Sequence, residues 1–347
     1  MKRHKTVETL LAAAERERRC AYGTAKSVCS ALGRRAKIGE LQRVSANAYV
    51  KPDYWAALNP PERSLHIART LGARHPDWVF AGIVAAAAHG FEHQWLLHGG
   101  PIDIVSSNKG DPPSRNAGSA AGMDAASGMN AGAGMNADTD ADARHGTRIR
   151  RIYAPRCALE SAAGITVTGK ARTVVDCCMM LEFRYALPIV DSALAQGVPR
   201  RDILAVCGSL RRNCLPVFRA LHYADPRSEN GGESLMRGTI VDSGLMVPEI
   251  QVPFVDPQTG RSYRVDFAWR LADGRIVVAE FDGTDKYVDP AMTGRRSIQG
   301  IVLAEREREA ALRRADVTDI VRCSFDDVVR AAPMIDELCR VGIPRSR

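Results

Sequence analysis

The chain has 347 residues, of which 45% are apolar and 25% charged, with a formal net charge of +8. This apolar content supports packed cores, so a wholly disordered chain is excluded, and the length fits two or three domains. No apolar run is long enough to span a bilayer and no secretory signal follows the basic first residues, so we expect a cytoplasmic protein with no membrane partner.

Positive charge is concentrated near the N-terminus. Residues 1–50 hold 11 Lys and Arg against 4 Asp and Glu, whereas residues 231–347 hold 17 against 19. A basic first segment is typical of a protein that meets a polyanion there, although an ordinary solvated surface gives the same count. The nine cysteines contain no Cys-x-x-Cys pair, which excludes zinc-finger spacing and favours reduced thiols.

The first elements predict a small DNA-binding domain. Helical periodicity covers Val7–Cys20, a second helix is expected from Thr24 to Leu32, and a third from Arg34 to Gln42. Leu41–Val50 predicts a hairpin that turns at Ala46-Asn47. Helix, helix, helix and hairpin is the order of a winged helix-turn-helix, in which the third helix enters the major groove. The candidate contacts to DNA are four basic residues: Arg34, Arg35, Lys37 and Arg43.

The next segment adds a family resemblance. Trp55 is followed by Pro60-Pro61-Glu62-Arg63, a helix to Arg74 and an alanine-rich helix that ends at His89-Gly90. This pattern is similar to AbiEi-type antitoxins, the transcriptional regulators of type IV toxin–antitoxin systems, over residues 5–105 and more faintly to 225. The resemblance implies a winged helix that binds operator DNA, and a toxin as a possible partner.

Three histidines in this segment suggest a metal site. His89, His93 and His98 are separated by glycines that break helical spacing, so hydrogen-bonded or exposed histidines are the simpler interpretation. Arg172 and Asp176 lie four apart on a predicted helix, where a structural ion pair is expected.

Low-complexity sequence interrupts the middle region. Residues 109–146 are dominated by Gly, Ala, Asn, Asp, Ser and Met and include the repeat Gly-Met-Asn-Ala. Such a segment cannot bury enough apolar surface to fold, so we predict a disordered insertion between strands at 101–106 and 147–153.

A hairpin near the C-terminus carries the main chemical signal. Tyr263–Trp269 and Arg275–Phe281 have strand character and flank an Asp-Gly turn. Asp266 and Glu280 lie inside these strands, where a carboxylate is costly unless it is paired or binds a metal. On adjacent antiparallel strands the two can face each other and hold Mg²⁺ or Mn²⁺. The alternative is a plain hairpin with both acids on its solvent face.

This hairpin resembles the PD-(D/E)XK nuclease superfamily, and within it the domains related to very-short-patch repair endonucleases. The resemblance covers about residues 229–329. It implies that Asp266 and Glu280 bind metal and that Glu233, near the start of a preceding helix, belongs to the site. Asp282 stands at the position of the superfamily lysine, and Lys286 is a possible substitute.

Together these patterns predict an α+β protein: a winged helix over 1–52, a small α/β region over 53–227 and a restriction-endonuclease-like α/β domain with a mixed sheet over 228–347. The predicted function is metal-dependent hydrolysis of DNA. The alternative is an antitoxin-like regulator whose nuclease fold has lost its chemistry, as Asp282 favours.

Overall fold

The structure is a computed structural model that describes residues 5–107, 147–282 and 298–346. The predicted insertion and Lys286 lie outside these ranges. The chain divides into two compact units, one of Met1–Glu182 with Val198–Val217 and one of Phe183–Gly197 with Phe218–Arg347. Both contain helices and strands, which confirms the mixed α and β composition. None of the described helices is long and apolar enough to cross a membrane.

The first unit begins with two helices and a hairpin. Helix α1 spans Lys5–Arg16, α2 spans Lys26–Lys37, and strands β1 (Gln42–Ser45) and β2 (Ala48–Val50) pair antiparallel about the predicted turn. Side chains such as Leu11, Leu32 and Tyr49 form their shared core.

The predicted third helix over Arg34–Gln42 is wrong, because α2 continues without a break to Lys37. Ala31, Leu32 and Arg35 are buried on one helical face. That face runs through the point at which we expected one helix to end and another to begin. Gly33 lies inside α2, and a Cβ there would be in ordinary van der Waals contact with the Tyr49 hydroxyl.

The rest of the first unit surrounds short two-stranded ladders. In chain order the elements are α3 (Pro52–Ala56), α4 (Pro60–Arg74), α5 (Gly82–Ala88), a 3-10 helix (Trp95–Gly99), β3 (Ile102–Ser106), β4 (Ile149–Tyr153), β5 (Leu159–Ala162), β6 (Ile165–Thr168), α6 (Lys170–Met180) and α8 (Arg200–Ser209). Strands β3 and β4, which we predicted on either side of the insertion, pair in parallel. The helices to Arg74 and through the alanine-rich segment are also confirmed.

The second unit is built on a four-stranded sheet. Its strands are β7 (Glu249–Val255), β8 (Ser262–Arg270), β9 (Ile276–Asp282) and β10 (Val317–Ser324), in the order β10-β9-β8-β7. Only β10 and β9 pair in parallel, so the predicted mixed sheet is confirmed. Its helices are α7 (Phe183–Ala195), α10 (Gly231–Asp242), α11 (Ile298–Arg314), α12 (Phe325–Arg330) and α13 (Ala332–Arg340), together with α9 (Leu215–Tyr223) from Phe218 onward.

Helices cover both faces of this sheet. Phe267 and Trp269 pack in a core with side chains of α10, α12 and α13, whereas Ala268 packs in a second core with Ala311 and Leu312 of α11. Because successive side chains of a strand point to opposite faces, the two cores lie on the two sides of the sheet. The sheet is therefore sandwiched between α11 on one face and α10, α12 and α13 on the other.

In strands β7 and β8 the regular alternation of side chains between the two faces of the sheet is interrupted at one position. Val265 and Phe267 are two residues apart and would share a face of a regular strand, yet they belong to opposite cores. On β7 the residues on either side of Gln251 likewise divide between the cores, and Gln251 has a left-handed φ of +55°. The register places Gln251 across from Asp266. We call this position, formed by Gln251 and Asp266, the strand reversal. The side chains of these two polar residues do not follow the regular alternation between the two cores.

Candidate functional site

Asp266 lies at the strand reversal, beside the end of β9. Its Oδ2 accepts a hydrogen bond of 2.9 Å from the backbone N–H of Phe281. The β8–β9 ladder ends at the pair Phe267 with Ala279, so Asp266 and Glu280 are the next residues on the two adjacent strands. The Phe281 hydrogen bond sets the Asp266 carboxylate beside the backbone that follows Glu280.

Glu280 is held by an arginine of α11. The Arg308 guanidinium donates to Glu280 Oε1 through Nε, at 3.1 Å, and through Nη2. The same Nη2 donates to the backbone carbonyl of Arg264 at 2.7 Å. Arg308 thus places a positive charge beside the carboxylates, in the region that a bound cation would neutralise. A metal ion at Glu280 would have to compete with this guanidinium.

Glu233 reaches the same region from the first turn of α10. It is 4% exposed, and its Oε2 accepts hydrogen bonds of 2.9 Å from the Gln251 side chain and from the backbone of Glu229. The close approach of the helix depends on Gly232, since a Cβ there would lie 2.2 Å from the Phe281 ring. Gln251 connects Glu233 to the strand reversal, which gives the cluster a fourth polar member.

Asp282 is the last described residue of the hairpin. It is half-buried at the end of β9 and lies across the parallel ladder from Ser324. Lys286 lies outside the described residues, so its proposed role as a substitute for the superfamily lysine stays a prediction.

The chemistry of the cluster suits a hard cation. Hydrogen bonds of the described residues engage Oδ2 of Asp266 and Oε1 of Glu280, and each carboxylate has a second oxygen. Mg²⁺ prefers oxygen ligands and keeps several waters, so one or two carboxylates suffice to bind it. Within the described ranges no three His, Cys, Asp or Glu side chains are already grouped as a metal site. A cation bound through Glu280 Oε1 would have to displace Arg308 from that oxygen.

Two members of the cluster were missed at the sequence level. Gln251 lies in a strand that we did not predict, and only the alternating pattern from Glu249 to Val255 could have indicated it. Arg308 lies in a run of alternating charges from Glu305 to Glu309, and such a local pattern indicates only an exposed helix face. Its contact with Glu280 joins residues 28 apart, which no local pattern encodes.

The candidate DNA contacts of the first unit divide into two kinds. Arg34 and Lys37, in the last turn of α2, and Arg43, on β1, are exposed. Arg35 is buried and donates to Glu8 at 2.5 Å. Arg35 therefore holds α2 to α1, whereas the other three present their charges to solvent.

The three predicted candidate histidines are all hydrogen-bonded. His89 donates to a backbone carbonyl at 2.8 Å, and His93 donates through Nδ1 to Phe91 at 2.6 Å. His93 Nε2 then accepts from His98 Nε2, at 2.7 Å, and His98 Nδ1 accepts from the Ser64 hydroxyl at 2.9 Å. Burial and the neighbouring His93 lower the pKa of His98 to about 3. These contacts agree with hydrogen-bonded structural histidines.

The chain resembles two relatives in part of its length. It is 31% identical over 175 residues to two uncharacterized proteins of Mycobacterium tuberculosis, one from strain CDC 1551 / Oshkosh and one from strain ATCC 25618 / H37Rv. The match covers 50% of this chain and 59% of each relative. The chain thus spans little more than half the length of the curated relatives it matches. No family model and no solved structure matches it.

Proposed function

We propose that the second unit hydrolyses DNA phosphodiester bonds with the help of Mg²⁺ or Mn²⁺. The observation that carries the proposal is the cluster at the strand reversal, where Asp266 and Glu280 lie on adjacent strands and Gln251 connects Glu233 to the same strand pair. Two of these carboxylates come from neighbouring strands and the third from the first turn of α10.

Each residue has a role in this proposal. Asp266 and Glu280 would hold the cation, which supplies Lewis-acid polarisation of the phosphate and lowers the pKa of the attacking water. Glu233, fixed by Gln251, would orient that water. Lys286 is proposed to stabilise the charge that develops on the phosphate, since Asp282 occupies the usual position of that lysine.

Plasmid nicking tests the proposal. The full chain is incubated with supercoiled plasmid in Mg²⁺, in Mn²⁺ and in EDTA, and open-circular product is measured with time. Asp266→Asn and Glu280→Gln should each slow nicking about 100-fold or more, because several kcal/mol of transition-state stabilisation is lost. Asp273→Asn is the matched control, since Asp273 lies in the turn of the same hairpin and pairs with Arg275 at 2.8 Å. Equal nicking by all four proteins would refute the proposal.

The second candidate is a regulator that binds DNA without cutting it. Two features favour it: Asp282 stands where the nuclease resemblance expects a lysine, and Arg308 already neutralises Glu280. In this case the exposed basic residues of α2 and β1 would contact operator DNA, and a toxin would be the partner. Binding of duplex DNA with no metal-dependent nicking by the wild-type chain would favour this candidate.

A further inference from the structure

The second unit contains a cavity next to the acidic cluster. It has a volume of about 580 Å³ and lies between the segments His222–Arg227 and Val247–Pro253, with Arg237 in its wall. This volume is typical of sites that take a small organic ligand. The second of these segments includes the first residues of β7, the edge strand of the sheet.

One buried donor in the cavity wall has no partner. Arg237 is 3% exposed; its Nη1 donates to the Tyr223 carbonyl at 2.6 Å and its Nη2 to Asp191. Its buried Nε makes no hydrogen bond to any described residue. Nearly all buried polar groups in proteins are hydrogen-bonded, so an acceptor from a water or a ligand is expected at this N–H.

The charges of the wall exclude a phosphate as that acceptor. Arg237 is neutralised by Asp191, and Arg227 by Asp225 at 2.7 Å. Glu249 also lines the cavity and pairs with Arg270 at 3.5 Å, so the lining offers a phosphate no uncompensated positive charge among these residues. A neutral acceptor, such as a carbonyl oxygen or a ring nitrogen, avoids repulsion by these carboxylates.

The remaining wall suits a flat ring. His222 and Tyr223 lie edge to face with ring centroids 4.7 Å apart, and Val247 and Ile250 add apolar surface. Aromatic and apolar side chains with one fixed donor are the means by which proteins hold an unstacked nucleobase. Nucleobases carry both carbonyl oxygens and ring nitrogens that accept hydrogen bonds.

The cavity adjoins the acidic cluster through one residue. Gln251 lines the cavity, donates to Glu233 and lies across the ladder from Asp266. We propose that the cavity receives one unpaired base of a nucleic-acid strand whose adjacent phosphate lies at Asp266 and Glu280. This inference rests on the proposed function, and it adds that the substrate is a strand with an extruded or unpaired nucleotide.

Two tryptophan variants test the cavity. Val247 is 42% exposed and lines the cavity, so Val247→Trp should fill it without disturbing a core. Val255 is 58% exposed at the other end of β7, outside the cavity lining, so Val255→Trp is the matched control. The first measurement is calorimetric titration of the full chain with deoxynucleosides in EDTA, which carry the base without a phosphate and require neither metal nor cleavage. We expect wild type and Val255→Trp to bind equally and Val247→Trp to bind at least tenfold more weakly.

The second measurement uses DNA. A duplex with 2-aminopurine opposite an abasic site is titrated with each protein in EDTA, because the fluorescence of this base rises when it leaves the stack. A rise with wild type and Val255→Trp, but not with Val247→Trp, is expected.

Failure of the base-binding cavity and failure of the hydrolytic function give different results. No deoxynucleoside binding, or equal loss in both tryptophan variants, overturns the base-binding cavity even if plasmid nicking succeeds. Deoxynucleoside binding that only Val247→Trp removes, in a chain that never nicks DNA, keeps the cavity and refutes the hydrolytic function.

Discussion

The two units use charged residues differently. In the first unit the buried acids form closed pairs with one arginine each, such as Asp176 with Arg172 at 2.9 Å. In that pair Arg172 Nη2 and Asp176 Oδ2 remain without a hydrogen bond among the described residues, but each charge has an opposite charge beside it. In the second unit Asp266 and Glu280 lie on adjacent strands at the strand reversal, Gln251 connects to Glu233, and Arg308 contacts Glu280. Where acids outnumber the cations that contact them, a bound cation is expected to relieve their repulsion.

Replacing one paired arginine by methionine in each unit should change the free energy of unfolding by very different amounts. Arg172→Met leaves Asp176 buried and without its arginine, so we expect a loss of about 3–5 kcal/mol in the free energy of unfolding at pH 7.5. Arg308→Met removes a partly exposed pair and should cost about 1 kcal/mol or less. Urea denaturation measures both. Similar losses would mean that the two pairs are equivalent and that the contrast is false.

The closed pair should also respond to pH. Burial raises the pKa of Asp176 to about 6, from 3.8 for an ordinary aspartate. A raised folded-state pKa means that the folded protein binds the proton more tightly, so this group adds stability as pH falls from about 6 to about 4. The gain is on the order of 2–3 kcal/mol.

Comparison with Arg172→Met/Asp176→Leu isolates this effect. The other titratable groups are the same in both proteins. The unfolding free energy of wild type minus that of the double variant should therefore be larger at pH 4 than at pH 7, and this change is due to Asp176. A difference that does not change with pH would contradict the assignment.

Removal of the competing guanidinium should strengthen metal binding. Arg308→Met frees Glu280, and we expect the dissociation constant for Mn²⁺ to fall about 3- to 10-fold, since one opposite charge near a carboxylate contributes about 1 kcal/mol in a partly exposed site. Isothermal titration with Mn²⁺ measures it. Arg313→Met is the control because Arg313, on the same helix, pairs with Glu309 at 3.8 Å. Tighter binding in both variants would show a general charge effect.

The smallest expected effect concerns the first unit. Arg34→Ala with Lys37→Ala should weaken binding of the full chain to duplex DNA a few-fold and reduce the slope of log K against log salt by up to about 2, since two phosphate contacts are lost. Arg201→Ala with Arg211→Ala removes equal charge from another exposed part of the first unit. Equal weakening by both double variants would mean that charge alone, rather than α2, attracts the DNA.

The sequence predicted the C-terminal hairpin and its two acids well, because alternation and an Asp-Gly turn are local signals. It did not predict the strand reversal, since a left-handed φ favours Gly and position 251 is Gln. It also missed β7, α9 and α13. The false third helix arose because three basic residues near Gly33 gave the appearance of a separate segment, whereas burial of Arg35 continues the face of α2. Long-range contacts, such as Arg308 with Glu280, leave no local pattern.

Thermal unfolding with a divalent cation tests the central claim most directly. If Asp266 and Glu280 bind one ion in the folded state, Mn²⁺ at about 100 times its dissociation constant should add about 2.7 kcal/mol and raise Tm by several degrees. Asp266→Asn should abolish the rise, and Asp273→Asn should keep it. The Asp266→Asn variant should be at least as stable as wild type without metal, since it relieves repulsion between carboxylates. An equal rise in Tm for wild type and Asp266→Asn, or none in either, would contradict the account.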